Sequence, residues 1–256
     1  MGLLAGKRIL VTGVTAKSSL AYRTAELAQR EGAEIVVSNF GRAMRLTRRA
    51  VAGLDPVPPV LDLDVVNPDH LRELPGQIEA VLGGLDGIVH SIAYADPRKA
   101  MGGRFLSTGW DEVGASLRIS AYSAVELVRA LDPVLQPGAS LVGLTFDSRV
   151  SWVAYDWMGV SKATLDAVIR YAALYMGERQ MRANVVAAGP VNTLSKKAIP
   201  LQSDTDRLWS AHSPLLWDVD DATPVAQAVV LLLSDWLKMT TGEVLHVDGG
   251  FHLLGY

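Results

Sequence analysis

Short apolar runs alternate with longer amphipathic stretches along nearly the whole chain. Residues 8–12, 34–38, 60–63, 87–90, 140–144, 183–186 and 244–247 are brief, rich in Val, Ile or Leu, and lack polar alternation. Strands covered on both faces read this way. Helical periodicity fills the gaps at residues 19–31, 42–51, 68–82, 110–135, 154–180 and 223–234. The repetition predicts an α/β fold, a single Rossmann-type doubly wound parallel sheet of about seven strands with helices on both faces. No linker divides the chain, and the Pro-rich patch at 55–59 is one short loop, so residues 1–256 read as one domain. The least regular stretch, 193–221, follows the sixth strand. A connection of that length inside a compact domain is usually a lid or a binding loop.

Bulk properties narrow the classes of function. A chain of 256 residues, 49% hydrophobic and 20% charged, can bury a large core without staples. The net charge of −3 gives no sign of a nucleic-acid or anionic-membrane partner. Cysteine is absent, which excludes disulfides and cysteine-ligated metal and fits a reducing compartment. The five histidines (His70, His90, His212, His246 and His252) lack metal-ligand spacing. The N-terminal apolar run is too short for a signal peptide, and Gly6 departs from the myristoylation pattern. The longest apolar run, 228–233, falls far short of the roughly 20 residues a membrane span needs. The expectation is a cytoplasmic protein without metal.

In an open parallel sheet, ligands bind beyond the carboxyl ends of the strands. Gly13, Phe40, Asp64, Ser91, Phe146 and Gly189 with Pro190 follow predicted strands and are expected to ring one cleft. The stretch Gly13-Val14-Thr15-Ala16-Lys17-Ser18-Ser19-Leu20-Ala21 supplies a glycine turn and a helix N-terminus, where free N–H groups and the dipole favour a pyrophosphate. Its second and third glycines are missing, so the strict dinucleotide fingerprint fails. Ser19 either bonds a phosphate oxygen or caps the helix. No acid follows the second strand in Ser38-Asn39-Phe40-Gly41-Arg42. Arg42 is open to a 2′-phosphate or is a solvated helix-start charge, so NADH and NADPH both remain open. Asp64 is placed for an adenine amino group or for capping the next helix.

Tyr155 and Lys162 are separated by seven positions on a predicted helix. Such residues lie about 20° apart around the axis and about 10 Å apart along it, and the longer side chain leans back toward the N-terminus. Both can therefore reach one ligand. An ammonium there favours phenolate or strengthens the phenol as a donor.

With these motifs the chain resembles the short-chain dehydrogenases/reductases, and within them the bacterial enoyl-acyl-carrier-protein reductases. The resemblance spans essentially the whole sequence. It is carried by Gly13 with Ser19-Leu20-Ala21, Leu63-Asp64-Val65, His90-Ser91-Ile92-Ala93, Ile119-Ser120-Ala121-Tyr122-Ser123, Tyr155 through Lys162, Ala187-Ala188-Gly189-Pro190, and the run from Thr241 to Gly250. The Tyr-x6-Lys spacing is specific to this branch. Position 159 is Gly, which excludes the commoner Tyr-x3-Lys form, and position 142 is Val where sibling enzymes carry a serine. Ala93 and Asn192 depart from the branch's usual residues.

The resemblance implies Tyr155, Lys162 and Phe146 as the catalytic group. For the cofactor it implies Gly13, Val14, Ser19 and Leu20 at the pyrophosphate, with Phe40, Asp64 and Val65 at adenosine. Ser91, Ile92, Ala93, Ile119 and Leu144 would line the middle, Lys162 the nicotinamide ribose, and Val191 and Thr193 the carboxamide. It also implies NADH, an enoyl thioester on acyl carrier protein or coenzyme A, a homotetramer, and an acyl chain covered by 194–213. Lys196 and Lys197 then either meet an acidic carrier or are simply solvated. Two other readings stand beside this one. A ketone or keto-thioester reductase would need a hydroxyl near position 142, with Ser140 the nearest. A non-catalytic cofactor sensor would have little reason to keep both Tyr155 and Lys162.

Overall fold

The computed structural model of the protein describes residues 2–194, 196–199 and 202–254, without the side chains of 198 and 202–205. The seven strands are β1 Arg8–Thr12, β2 Glu34–Asn39, β3 Val60–Asp62, β4 Leu85–His90, β5 Leu135–Thr145, β6 Arg182–Ala188 and β7 Val244–Val247. They form one sheet in the order β3-β2-β1-β4-β5-β6-β7, with every neighbouring pair parallel. The chain reverses its direction of travel between β1 and β4, which opens a crevice beyond their carboxyl ends.

The helices are α1 Leu20–Arg30, α2 Ala43–Val51, α3 Pro68–Leu82, α4 Trp110–Leu117, α5 Ser123–Leu131, α6 Asp156–Met176, α7 Gln202–His212 and α8 Thr223–Leu233. Strand residues divide alternately between two cores. Ile9 and Val11 pack with α1 and α8 on one face, while Leu10 packs with α3, α5 and α6 on the other. Each such buried side chain contributes roughly 1.5–3 kcal/mol before its ordering entropy is counted. Burial on both faces is why the strands carry no polar alternation.

Two expectations are corrected. The predicted helix 110–135 breaks into α4, a π turn at Arg118–Tyr122, and α5, and its last residue already belongs to β5. The stretch 193–221 is not uniformly irregular, since it holds a short 3₁₀ turn at Lys196–Ala198 and all of α7. The sequence Gln-Ser-Asp-Thr-Asp-Arg is too polar to mark a helix face.

Candidate active site

The crevice begins at a close approach. Gly13 has φ +73°, and a β-carbon there would lie 2.0 Å from the Ser91 carbonyl oxygen. Only glycine fits, because it tolerates positive φ and carries no side chain. The Thr12 hydroxyl ties the two strand ends together, donating to the Val89 carbonyl at 2.8 Å and accepting from the Ser91 N–H at 3.1 Å. Val14 is buried, and its carbonyl accepts from Asn39 and Thr47.

Ser19 caps α1. Its hydroxyl oxygen accepts from the Tyr22 N–H at 3.1 Å and its proton goes to the Ala16 carbonyl at 2.7 Å. The capping role weighed for Ser19 is thus filled in this arrangement. The N–H groups of Leu20 and Ala21, which have no intrahelical acceptor, are the ones left facing outward from the first turn.

At the far edge, Phe40 follows β2 half-exposed, its N–H held by the Asn39 side chain at 2.9 Å. Arg42 lies exposed at the start of α2. Asp64 accepts from the Val66 N–H at 3.1 Å, while the cap of α3 is Asn67, which accepts from the Asp69 N–H at 2.9 Å. The capping role weighed for Asp64 thus belongs to Asn67. Val65 is buried in the core, leaving only its backbone for a ligand.

Ser91 and Ile92 are half-buried and Ala93 is exposed. The next segment is pinned to the π turn, where the Ser120 hydroxyl accepts from the Tyr94 N–H at 2.9 Å and donates to the Tyr94 carbonyl at 3.0 Å. This turn presents Ile119, half-buried, beside the post-β4 loop. A π turn inside a helix often marks a functional site.

Tyr155 does not sit inside a regular helix. It occupies the position before α6, between Ala154 at φ +65° and Asp156 at φ +43°. Non-glycine residues rarely adopt such values, and each costs on the order of 1–3 kcal/mol. Local bonds hold the turn: the Ala154 carbonyl accepts from Gly102 N–H at 2.9 Å, and the Asp156 carboxylate accepts from the Gly103 and Arg104 N–H groups at 2.7 and 2.9 Å. The Tyr155 ring meets the half-buried Phe146 ring edge-on, with centroids 5.5 Å apart.

Burial pushes the Tyr155 phenol above its ordinary value, and no charged group pulls it back. Lys162 does not favour phenolate here. Its ammonium is buried and donates to the Leu144 carbonyl at 2.9 Å. Burial draws it down to about 8, against an opposing pull from Asp166. The phenol thus stays protonated throughout the physiological range. Behind Lys162 lies His90, fully buried, bonded through Nε2 to the Ser123 hydroxyl at 2.8 Å and held neutral at about 3 by burial and by Lys162.

Sequence patterns gave no notice of the aromatic wall behind Phe146. Trp152 and Trp209 approach its ring at 5.0 and 5.5 Å, and Trp209 stacks on Phe251 at 3.8 Å. These residues come from three distant segments, so only tertiary structure unites them. Asp166 was missed as well, although its position one turn after Lys162 was a usable signal. Tyr155 also packs against a small apolar cluster of Ala95, Ala100, Met101 and Met158.

Beyond β6, Val191 is buried and Thr193 half-buried, with the Thr193 hydroxyl accepting from the Lys196 N–H at 3.0 Å. The two lysines part company. Lys196 is buried, donates to the Asn192 side chain at 2.9 Å and ion-pairs with Asp206 of α7, whereas Lys197 is exposed. Neither account of a solvated or docking pair holds for Lys196. It ties the segment after β6 to α7.

A family model described as enoyl-(acyl carrier protein) reductase matches residues 13–252. The enoyl-[acyl-carrier-protein] reductase [NADH] of Mycolicibacterium smegmatis is 41% identical, and that of Mycobacterium avium 40%, each alignment covering 97% of both chains. The corresponding Aquifex aeolicus reductase is 34% identical over 100% of this chain and 94% of its own. By this match along nearly its whole length, the chain belongs to the enoyl-(acyl carrier protein) reductase family.

Proposed function

We infer that this protein reduces the double bond of a trans-2-enoyl thioester with NADH, in the manner named for its relatives. The observation that carries the reading is the Tyr155 ring, edge-on to Phe146 just past the end of β5, with a hydroxyl that has no hydrogen bond to any described residue and whose pKa burial keeps above its ordinary value. The crevice suits a dinucleotide, because Gly13 lets the backbones at the ends of β1 and β4 close up without a side chain between them and the first turn of α1 offers free N–H groups nearby.

Reduced nicotinamide, when bound, supplies the hydride that goes to the β-carbon. Tyr155 donates a hydrogen bond to the thioester oxygen, where negative charge develops as an enolate, and the enolate returns to the thioester when its α-carbon takes a proton from solvent. A donor aimed at charge that appears in the transition state accelerates the reaction. Lys162 releases the Leu144 carbonyl to hold the nicotinamide ribose hydroxyls and adds positive charge. Phe146 walls the site and orients the thioester. Gly13, Val14, Leu20 and the backbone at Ser19 take the pyrophosphate side, and Phe40, Asp64 and Val65 the adenosine side. Ser91, Ile92, Ala93, Ile119 and Leu144 line the middle, with Val191 and Thr193 at the carboxamide. The segment 193–221 covers the acyl chain.

The keto-reductase alternative loses its hydroxyl. Val142 is buried in β5, and Ser140 gives its proton to the Leu232 carbonyl at 2.9 Å, toward α8. Ser148, the other nearby serine, is bonded to Asp166.

Among the described residues no helix is long and apolar enough to cross a membrane. A cytoplasmic homotetramer, acting on substrates borne by acyl carrier protein or coenzyme A, completes the reading. The test is oxidation of NADH and NADPH with crotonyl and acetoacetyl thioesters in parallel. Turnover of crotonyl thioester with NADH is expected; activity on the acetoacetyl thioester alone overturns the reading.

A further inference from the structure

A buried carboxylate lies one helical turn from buried Lys162, with no direct ion pair between them and one oxygen left without a hydrogen-bond partner, and it has no part in the chemistry above. Asp166 lies one helical turn after Lys162 on α6, both side chains enclosed. The Ser148 hydroxyl, from the loop after β5, donates to its Oδ2 at 2.6 Å. An isolated charge is costly to bury, and two opposite charges within one enclosure offset part of that cost.

We propose that Asp166 is a positioning residue, the counterion that keeps Lys162 charged for cofactor binding and is itself oriented by Ser148. Asp166 touches neither cofactor nor substrate in this account. It acts through Lys162, and the inference rests on the reading that Lys162 holds the nicotinamide ribose.

Among the described residues, no other anion acts on Lys162. From β4 it is faced by neutral His90 and from β5 by the Leu144 carbonyl. Burial lowers the Lys162 ammonium to about 8, and Asp166 is the group that raises it. Burial pushes Asp166 upward too, opposed by the Ser148 and Thr145 hydroxyls, Lys162 and Arg170. Arg170 is exposed at the solvent side of the helix, so the enclosed partner of the carboxylate is Lys162. Without the carboxylate, Lys162 would shed its proton at lower pH and bind the ribose as a neutral amine.

The experiment measures NADH affinity of the full chain by fluorescence from pH 6 to 10, for the parent, Asp166→Asn, Asp166→Glu, Ser148→Ala and Lys162→Ala. The expected result is that D166N moves the alkaline loss of affinity down by about one pH unit, the size typical of a lost neighbouring charge. D166E restores the parental curve and S148A moves it less, in the same direction. A D166N curve that overlays the parent's overturns the proposal. If D166N does not fold, a parental curve for S148A overturns it in the same way. K162A separates the two layers of the argument: unchanged NADH affinity in that variant removes the role given to Lys162, whereas weakened affinity with an unmoved D166N curve removes only the role given to Asp166.

Discussion

Ala154 and Asp156 hold left-handed backbones on either side of Tyr155, at φ +65° and +43°. Strain of this kind persists only where surrounding bonds over-determine it. Here the carbonyl of Ala154 and the carboxylate of Asp156 both anchor the loop at 102–104. The phenol is aimed by a turn that the rest of the molecule must hold.

Ala154→Gly should relieve part of that strain. The melting temperature is expected to stay level or rise by a few degrees, in line with a gain below about 1 kcal/mol. The turnover number should fall, because the freed backbone no longer fixes the ring. Calorimetry with steady-state kinetics checks both; a drop in stability of several degrees would show that the turn is not strained at this residue.

Tyr155→Phe keeps the ring against Phe146 and removes only the donor. Turnover should fall by two to three decades, about 3–4 kcal/mol of transition-state stabilisation. NADH affinity should remain at the parental value. Stopped-flow hydride transfer together with a binding titration reads the two effects separately.

Lys162 links pH to stability and to binding with opposite signs. Its folded value, about 8, lies below its ordinary 10.5. Between those values the unfolded chain holds a proton that the folded chain has lost, so this residue's contribution to stability rises with pH over that window. The full span amounts to roughly 3 kcal/mol. Over the same window NADH affinity should decline as the ammonium disappears. Urea unfolding of parent and Lys162→Met from pH 7 to 10 tests the first part: the variant should lack this rise.

Trp209→Ala should cost roughly 3–5 kcal/mol, the range for emptying a buried aromatic site. Trp209 is 1% exposed and its indole N–H donates to the Asp248 carbonyl at 3.2 Å. It also backs Phe146, so thioester KM should rise even at temperatures where the variant is folded. Unchanged KM would separate the wall from the substrate site.

The sequence made the sheet legible because its strands are buried on both faces and stand out as unbroken apolar runs. The seven strand positions agree with the structure to within a few residues, apart from β5, which begins five residues earlier through Gln136-Pro137-Gly138. The helix α7 stayed hidden because only Leu208 and Trp209 among its described side chains meet the core. At the site, residues tied to strand ends were found because strand order places them. The aromatic wall behind Phe146 was not, since Trp152, Trp209 and Phe251 converge from separate segments without a shared period. Of the two readings open for Tyr155 near Lys162, phenolate or phenol donor, enclosure favours the phenol, and the charge of Lys162 answers to Asp166.

The contact between Gly13 and the Ser91 carbonyl has a consequence for how this gene tolerates mutation. A single added methyl group at codon 13 would meet backbone rather than a flexible side chain, so no neighbouring rotamer can absorb it. Every amino-acid replacement at that codon should therefore be depleted in a saturation library selected for activity, whereas replacements at Gly41, where an added carbon meets open space, should be depleted only in proportion to their backbone preference.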